Sequence, residues 1–344
     1  MAVAAVVSAG LAGAVVAMGV MWIARPTRVV VREAQGSAAR PTTTVMFAPA
    51  VVPSQALAKK LAPSLVIVQA SRNDQWADGT GVRLDDRGTI AVAALLVDGA
   101  DSVVITDATG KRLAATPAGS DPATGIAIVH IADRSGSALD AAPATAEAGQ
   151  PVAVIGASSL APDGSTEQRV ITAAISAVDL RTTLDSLVLH DAVQLDRAVP
   201  TDARGGVVID ADGHLLGIVL AGSGAENLAV VVPAGEALAA ARDLRTTGTV
   251  RRAWLGVRAV DLSPTAAQML DVRGGALLQQ VEGGSPAAAT GLLKGDVITD
   301  VDGHAIGDAS DLVVALRSWK PGERVVITWR RGVATRKAGV ILGG

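Results

Sequence analysis

The chain contains no cysteine, so nucleophilic or acid–base chemistry would fall to hydroxyls, carboxylates and four histidines, His130, His190, His214 and His304. The stretch that organises the chain is Thr201-Asp202-Ala203-Arg204-Gly205-Gly206. It follows Gln194-Leu195-Asp196-Arg197-Ala198-Val199 and precedes a hairpin sequence running from Val207 to Ile218. Arg204 stays protonated and cannot attack a carbonyl. No Ser occurs between residues 187 and 222, which leaves Thr201 as the nearest hydroxyl. His214 and His304 lie in Asp-Gly-His turns and read as solvated turn residues. His130 ends an apolar strand and His190 precedes another, so both read as surface or edge positions. No His-x-x-x-His or comparable ligand spacing occurs, and the sequence points to no metal and no cofactor. Asp196, Asp202 and Arg204 are expected to form a local salt bridge.

The elements that must hold this turn are short apolar strands. The chain has 344 residues, a net charge of −3, 37 glycines, one Phe and no Tyr. That charge gives no electrostatic case for nucleic-acid binding. The cores must be filled by Val, Ile, Leu and Ala. Strand patterns recur at 65–68, 80–84, 89–92, 103–105, 126–129, 152–155, 173–178, 207–209 and 215–220, with Asp85-Asp86-Arg87-Gly88 as a hairpin turn. There is no alternation with helices, which predicts two closed antiparallel barrels of about six strands each over residues 57–247. A helix is predicted from Gly235 to Thr246, with Leu238, Ala239, Ala241 and Leu244 on one face. Residues 249–344 form a further unit. Its strands are predicted at 255–260, 275–281, 297–301, 325–329 and 338–342, and a helix at 309–318 with Asp308 as N-cap.

Residues 2–24 carry no charge and end at Met21-Trp22-Ile23-Ala24. Residues 1–24 are long and apolar enough for a single membrane-spanning anchor, with Trp22 at the interface. A cleaved signal peptide and a buried soluble helix are the rival readings. Arg25, Arg28 and Arg32 follow the segment, and by charge alone that side would face the cytoplasm. Residues 25–56 are rich in Ala, Pro, Thr and Ser and read as a flexible tether.

The turn at 201–206, with its flanks, resembles the nucleophile loop of trypsin-like serine proteases of the high-temperature-requirement A (HtrA) type. Two further segments share the resemblance. Val97-Asp98-Gly99-Ala100-Asp101 is similar to the segment after that family's catalytic histidine, and Gly119-Ser120-Asp121-Pro122-Ala123-Thr124-Gly125 to the segment bearing its triad acid. The resemblance places the histidine on Leu95, the acid on Gly125, the serine on Arg204 and an oxyanion-hole glycine on Asp202. A triad needs a nucleophile, a base and an acid that orients the base. Leucine, glycine and arginine supply none of these, so the resemblance implies a degenerate triad.

Arg251-Arg252-Ala253-Trp254-Leu255-Gly256-Val257, Gly283-Gly284-Ser285-Pro286-Ala287 and Gly291-Leu292-Leu293-Lys294-Gly295-Asp296 resemble the PDZ domain of the same family. Backbone N–H groups around Gly256 would form an anion nest for a peptide carboxylate, with Arg251 or Arg252 nearby. The resemblance sets Arg252, Trp254, Leu255, Gly256 and Val257 on one side of a peptide groove, and Ala309, Val313 and Leu316 on the other. The expected protein is a mostly β, membrane-anchored, extracytoplasmic pseudoprotease. It would bind C-terminal or unfolded peptide segments and, as the family commonly does, assemble as a homo- or hetero-trimer. The alternative is an active serine endopeptidase with displaced catalytic residues.

Overall fold

The computed structural model describes residues 28–30, 45–47, 52–160, 166–184, 187–223 and 228–344. Two compact units, Met1–Ala50 and Val51–Gly344, are taken separately. In the first, β1 (Arg28–Val30) pairs antiparallel with β2 (Val45–Phe47). The stretch expected to be a plain tether therefore carries a short ladder, whose three-residue strands are too short to show periodicity. Residues 2–24, the expected membrane anchor, lie outside the described residues. Among the described residues no helix is long and apolar enough to cross a membrane.

The second unit begins with α1 (Ser54–Leu61), which buries Ala58 and Leu61. Then come β3 (Leu65–Arg72), β4 (Gln75–Arg83), β5 (Thr89–Ala93), α2 (Ala94–Val97), β6 (Ser102–Thr106), β7 (Arg112–Asp121) and β8 (Ile126–Ile131). These strands close into a barrel in the order β3-β4-β5-β8-β7-β6. A second closed barrel, β10-β11-β14-β13-β12-β9, uses β9 (Pro151–Leu160), β10 (Thr166–Leu184), β11 (Leu187–Leu195), β12 (Val207–Ile209), β13 (Leu215–Ser223) and β14 (Leu228–Pro233). Branched aliphatics pack both interiors: all of β5 and all of β12 are buried. α3 (Ala234–Thr247) lays Ala237, Ala241 and Leu244 onto the first barrel's core.

The third part contains β15 (Val257–Asp261), α4 (Pro264–Met269), β16 (Ala276–Val281), α5 (Pro286–Thr290), β17 (Val297–Val301), β18 (His304–Ala305), α6 (Ala309–Arg317), β19 (Arg324–Arg331) and β20 (Ala334–Ile341). The sheet order is β15-β16-β17-β19-β20, which leaves β15 as an edge strand. Asp308 caps α6 as expected, its Oδ1 accepting from the Asp311 N–H at 2.8 Å. The turn after α5 is held by buried Asp296, which pairs through both oxygens with Arg331 at 2.7 Å.

The two barrels meet at Thr80. Its hydroxyl accepts from the Ala157 N–H at 3.1 Å and faces the Asp202 carbonyl at 3.0 Å. Its N–H donates to the Arg204 carbonyl at 2.6 Å. One fully buried residue of β4 thus fixes both β9 and the turn at 201–204. Replacing Thr80 by Val keeps the volume but leaves the Ala157 N–H without a partner. The expected loss is about 1–3 kcal/mol, read as a lower urea midpoint with an unchanged m-value.

Candidate functional site

The structure brings together the three positions singled out in sequence. Leu95 sits on α2, a single turn that its Ala-Leu-Leu-Val sequence did not separate from the strand before it. The Ala94 N–H donates to the Gly125 carbonyl at 2.7 Å, so positions 95 and 125 are neighbours. Gly125 has φ +68°, and a Cβ there would approach Leu187 Cδ2 to 2.7 Å and Leu220 Cδ1 to 3.2 Å. Leucine side chains close the space beside it. Leu95 and Arg204 both line a cavity of about 280 Å³, together with Arg72, Thr201, Pro200 and Gly222. No histidine or carboxylate lines it, and Thr201 supplies its hydroxyl.

The backbone of the turn is also closed. Thr201–Ala203 is one turn of 3-10 helix, in which the Arg204 N–H donates to the Thr201 carbonyl at 3.1 Å and the Ala203 N–H to Pro200 at 3.0 Å. The salt bridge expected among Asp196, Asp202 and Arg204 is not formed. Asp202 pairs with Arg169 at 2.7 Å and Asp196 with Arg197 at 3.2 Å. Each carboxylate has an arginine better placed than Arg204, whose buried Nε has no hydrogen-bond partner. Asp210, Asp212 and His214 converge in one turn. The Asp210 carboxylate there is consumed by the Asp212 and His214 N–H groups (3.0 and 2.8 Å) and by His214 Nδ1 (3.1 Å).

The second site is a groove of about 480 Å³. Arg252, Trp254, Leu255, Gly256 and Val257 line one side, and Val313 and Leu316 of α6 the other. Ala309 is buried at the head of the helix, its N–H on Asp261 at 3.1 Å, and does not line the groove. Gly256 has φ +80°, and a Cβ there would come within 2.2 Å of Ser285 Cβ. The carbonyls of Leu255 and Gly256 accept from the Ala287 and Glu282 N–H groups at 3.0 and 2.9 Å. The Leu255 and Gly256 N–H groups have no backbone acceptor among the described residues. With β15 at the sheet edge, the groove offers a donor nest beside an open strand.

The barrels form part of the groove wall, which sequence reasoning missed: Pro122, Ala123, Val188 and His190 line it as well. Arg252, expected to wait for a ligand carboxylate, forms a bidentate pair with buried Asp121, with Nη2 at 2.6 Å from Oδ2. In the sequence Asp121 is distinguished only as part of the segment leading to Gly125. Burial opposes its ionisation, but Arg252, Thr124 and the Ala123 N–H outweigh that and hold its carboxyl below the usual range. Arg317 reaches Glu236 at 3.2 Å and the Ala123 carbonyl at 3.4 Å. His190 Nδ1 lies 3.2 Å from Ser310 Oγ. Burial first, then the charges of Arg317 and Arg181, lower the His190 pKa, so the imidazole is neutral at pH 7.

Beside this junction Asp191 is pushed up to about 6, first by burial, then by its hydrogen bond to Asp179 and the charges of Asp179 and Glu236. A carboxyl with a raised folded-state pKa stabilises the fold fully below its unfolded value, and that contribution disappears as pH rises through the folded value. Wild type should therefore lose thermal stability relative to Asp191→Asn as pH rises from about 4 to 6. The two should melt together near pH 4, with the variant higher at pH 7. Parallel melting curves across that window would contradict the assignment.

Residues 79–218 match the trypsin-like peptidase domain family and residues 253–342 the PDZ domain family. A probable periplasmic serine endoprotease DegP-like of Halomonas elongata is 30% identical over 80% of this chain and 58% of its own length. Serine protease PepD of Mycobacterium tuberculosis is 29% identical over 80% of this chain and 62% of its own length. The chain thus spans about three-fifths of these relatives. The solved structure of the HtrA-type protease AlgW with tripeptide superposes with a TM-score of 0.70 at 27% identity, covering 85% of this chain and 97% of that one. A trypsin-like double barrel, a PDZ domain and relatives carrying both in the same order lead to one conclusion: the chain belongs to the HtrA-type family.

Proposed function

We propose that this chain is a catalytically silent HtrA-family protein that binds peptide C-termini through its PDZ groove. It would be anchored to the membrane by residues 1–24, act on the extracytoplasmic side and assemble as a homo- or hetero-trimer. One observation carries the catalytic part of the reading. Among the described residues the cavity lined by Leu95 and Arg204, with Gly125 adjoining Leu95, holds no base and no acid, and one candidate oxyanion donor, the Arg204 N–H, is spent on Thr201. Without a triad, an oxyanion hole and binding alone leave about 10³–10⁴ over water. Here the Arg204 N–H, one candidate donor of that hole, is already engaged.

The groove reading is supported by the unengaged N–H groups at Leu255 and Gly256, the edge strand β15 and the apolar faces of Val313 and Leu316. These suit a hydrophobic terminal side chain and its carboxylate. One contact favours the competing endopeptidase reading: His190 Nδ1 against Ser310 Oγ, a neutral base beside a hydroxyl. Among the described residues no acid hydrogen-bonds that imidazole, and the pair lies at the junction of barrel and PDZ domain rather than in the cavity between barrels.

Incubation with an unfolded protein substrate and a serine-reactive fluorophosphonate should give neither turnover nor labelling. Turnover with labelling would overturn the silent reading, and its loss in Ser310→Ala would locate the nucleophile. For the groove, peptides ending in a free hydrophobic residue should bind at least about tenfold more tightly than their C-terminal amides, the scale of one charge-assisted contact, measured by Trp254 fluorescence. Equal affinity would remove the carboxylate nest.

A further inference from the structure

The cavity between the barrels has lost a nucleophile and gained a cation. Two arginines line it, Arg204 and Arg72, and no acidic residue does. Arg72 is held by backbone carbonyls alone, its Nε on Gly99 at 3.2 Å and its Nη2 on Asp98. Arg204 has no ion pair among the described residues, and its Nε is buried without a hydrogen-bond partner. The aspartates of its own loop are taken by Arg169 and Arg197. A partly buried guanidinium with an unfilled donor carries a desolvation cost that a bound anion would offset. Arg252 has Asp121, Arg331 has Asp296 and Arg317 has Glu236, whereas Arg204, like Arg83 and Arg330, has no carboxylate partner among the described residues, and it lines the cavity beside a second arginine.

The remaining walls give the anion a shape. Leu95, Val199, Pro200 and Ala221 are apolar and suit a short methylene stem, while the Thr201 hydroxyl lines the cavity with the cations. A carboxylate on a methylene stem fits this better than a compact phosphate, which would leave the apolar walls unused. Ala221 and Gly222 belong to β13, whose pairing with β12 ends at Ile218. The backbone beside the cavity is therefore open to an extended chain on that side. From the juxtaposition of Arg204, Arg72 and the apolar walls, we propose that the vacated cavity is a second recognition site, selective for an Asp or Glu side chain of a bound peptide. The inference rests on the silent reading, because a peptide held there would otherwise be cut.

The test uses the full chain and fluorescein-labelled decapeptides that are C-terminally amidated, which removes the terminal carboxylate the PDZ groove would take. One series carries a single internal Glu and a matched series carries Gln. Anisotropy should show the Glu peptides binding about ten- to a hundredfold more tightly, the scale of a charge-assisted pair. The advantage should shrink with added salt and vanish in Arg204→Gln. Binding of free-terminus peptides to the groove should not change in that variant. Arg72→Gln is the independent variant should Arg204→Gln fail to fold, and it should reduce the Glu advantage. Equal binding of Glu and Gln peptides, or an advantage surviving both substitutions, would overturn the proposal. So would displacement of both series alike by inorganic phosphate, the mark of a non-selective anion site. Mass spectrometry of the recovered peptides separates the two readings: cleaved peptide refutes catalytic silence, whereas intact peptide with no Glu preference refutes only the acidic site.

Discussion

The seam between the barrels depends on Thr80. A single fully buried side chain satisfies the Ala157 N–H and faces the Asp202 carbonyl, while its N–H takes the Arg204 carbonyl. Around it no atom can be added. A Cβ on Gly205 would lie 1.9 Å from the Thr80 carbonyl oxygen, and one on Gly156 would lie 2.7 Å from Thr80 Oγ1. Gly205 also sits at φ +83°, where any other residue is strained. The Gly205-Gly206 frame is therefore required by packing, whatever stands before it. The side chain at 204 lines the cavity instead of the seam, so the seam leaves it unconstrained. This accounts for a loop that keeps the outline of a catalytic turn around an arginine.

The junction between barrels and PDZ domain follows a different rule. The seam is closed by shape and backbone hydrogen bonds, whereas the junction is closed by charge: Asp121 with Arg252 and Glu236 with Arg317. The Asp121 side chain is only 3% exposed, and removing one partner of such a buried pair costs about 3–5 kcal/mol. Geometry at this level of burial is specific, and it places Pro122, Ala123 and His190 against the groove. The space beside Trp254 is bordered by the first barrel's β7–β8 corner as well as by the PDZ domain. The groove is a joint product of both folds, and its polar rim is partly supplied by His190 and Arg317.

Local order was legible in the sequence and long-range partnership was not. Both barrels, the sheet of the PDZ domain and the capped helix α6 follow from strand spacing, turn residues and Asp308. Leu95, Gly125 and Arg204 are singled out by their flanking motifs; Leu95 and Arg204 line one cavity, and Gly125 adjoins Leu95 without lining it. Strands β7 and β11 escape the strand pattern because Pro117, Gly119, His190 and Asp191 interrupt their apolar alternation; β14 is an unbroken apolar run, Leu228–Pro233, and is not among the expected strands. The partner of Arg252 lies 131 residues away, and nothing at either position signals the other. Ala309 shows the limit of helical spacing. It shares a face with Val313 by periodicity, but as the first residue of α6 it is drawn inward by its bond to Asp261.

Side chains and backbone at the turn 201–204 are set by one local geometry. A donor that must point into the cavity needs a residue before it that can leave ordinary backbone angles, which glycine does and aspartate resists. Asp202 keeps a negative φ within the 3-10 turn. The chain there closes on itself, so the Arg204 N–H returns to Thr201 instead of facing the cavity. Arg169 then holds the Asp202 carboxylate at 2.7 Å and pins the closed turn from outside. A serine at 204 would stand beside Leu95, with the 204 N–H still donated to the Thr201 carbonyl. Turning the 204 N–H toward the cavity would need the turn to open, against the Asp202–Arg169 pair and the hydrogen bond that Thr80 makes to the same segment.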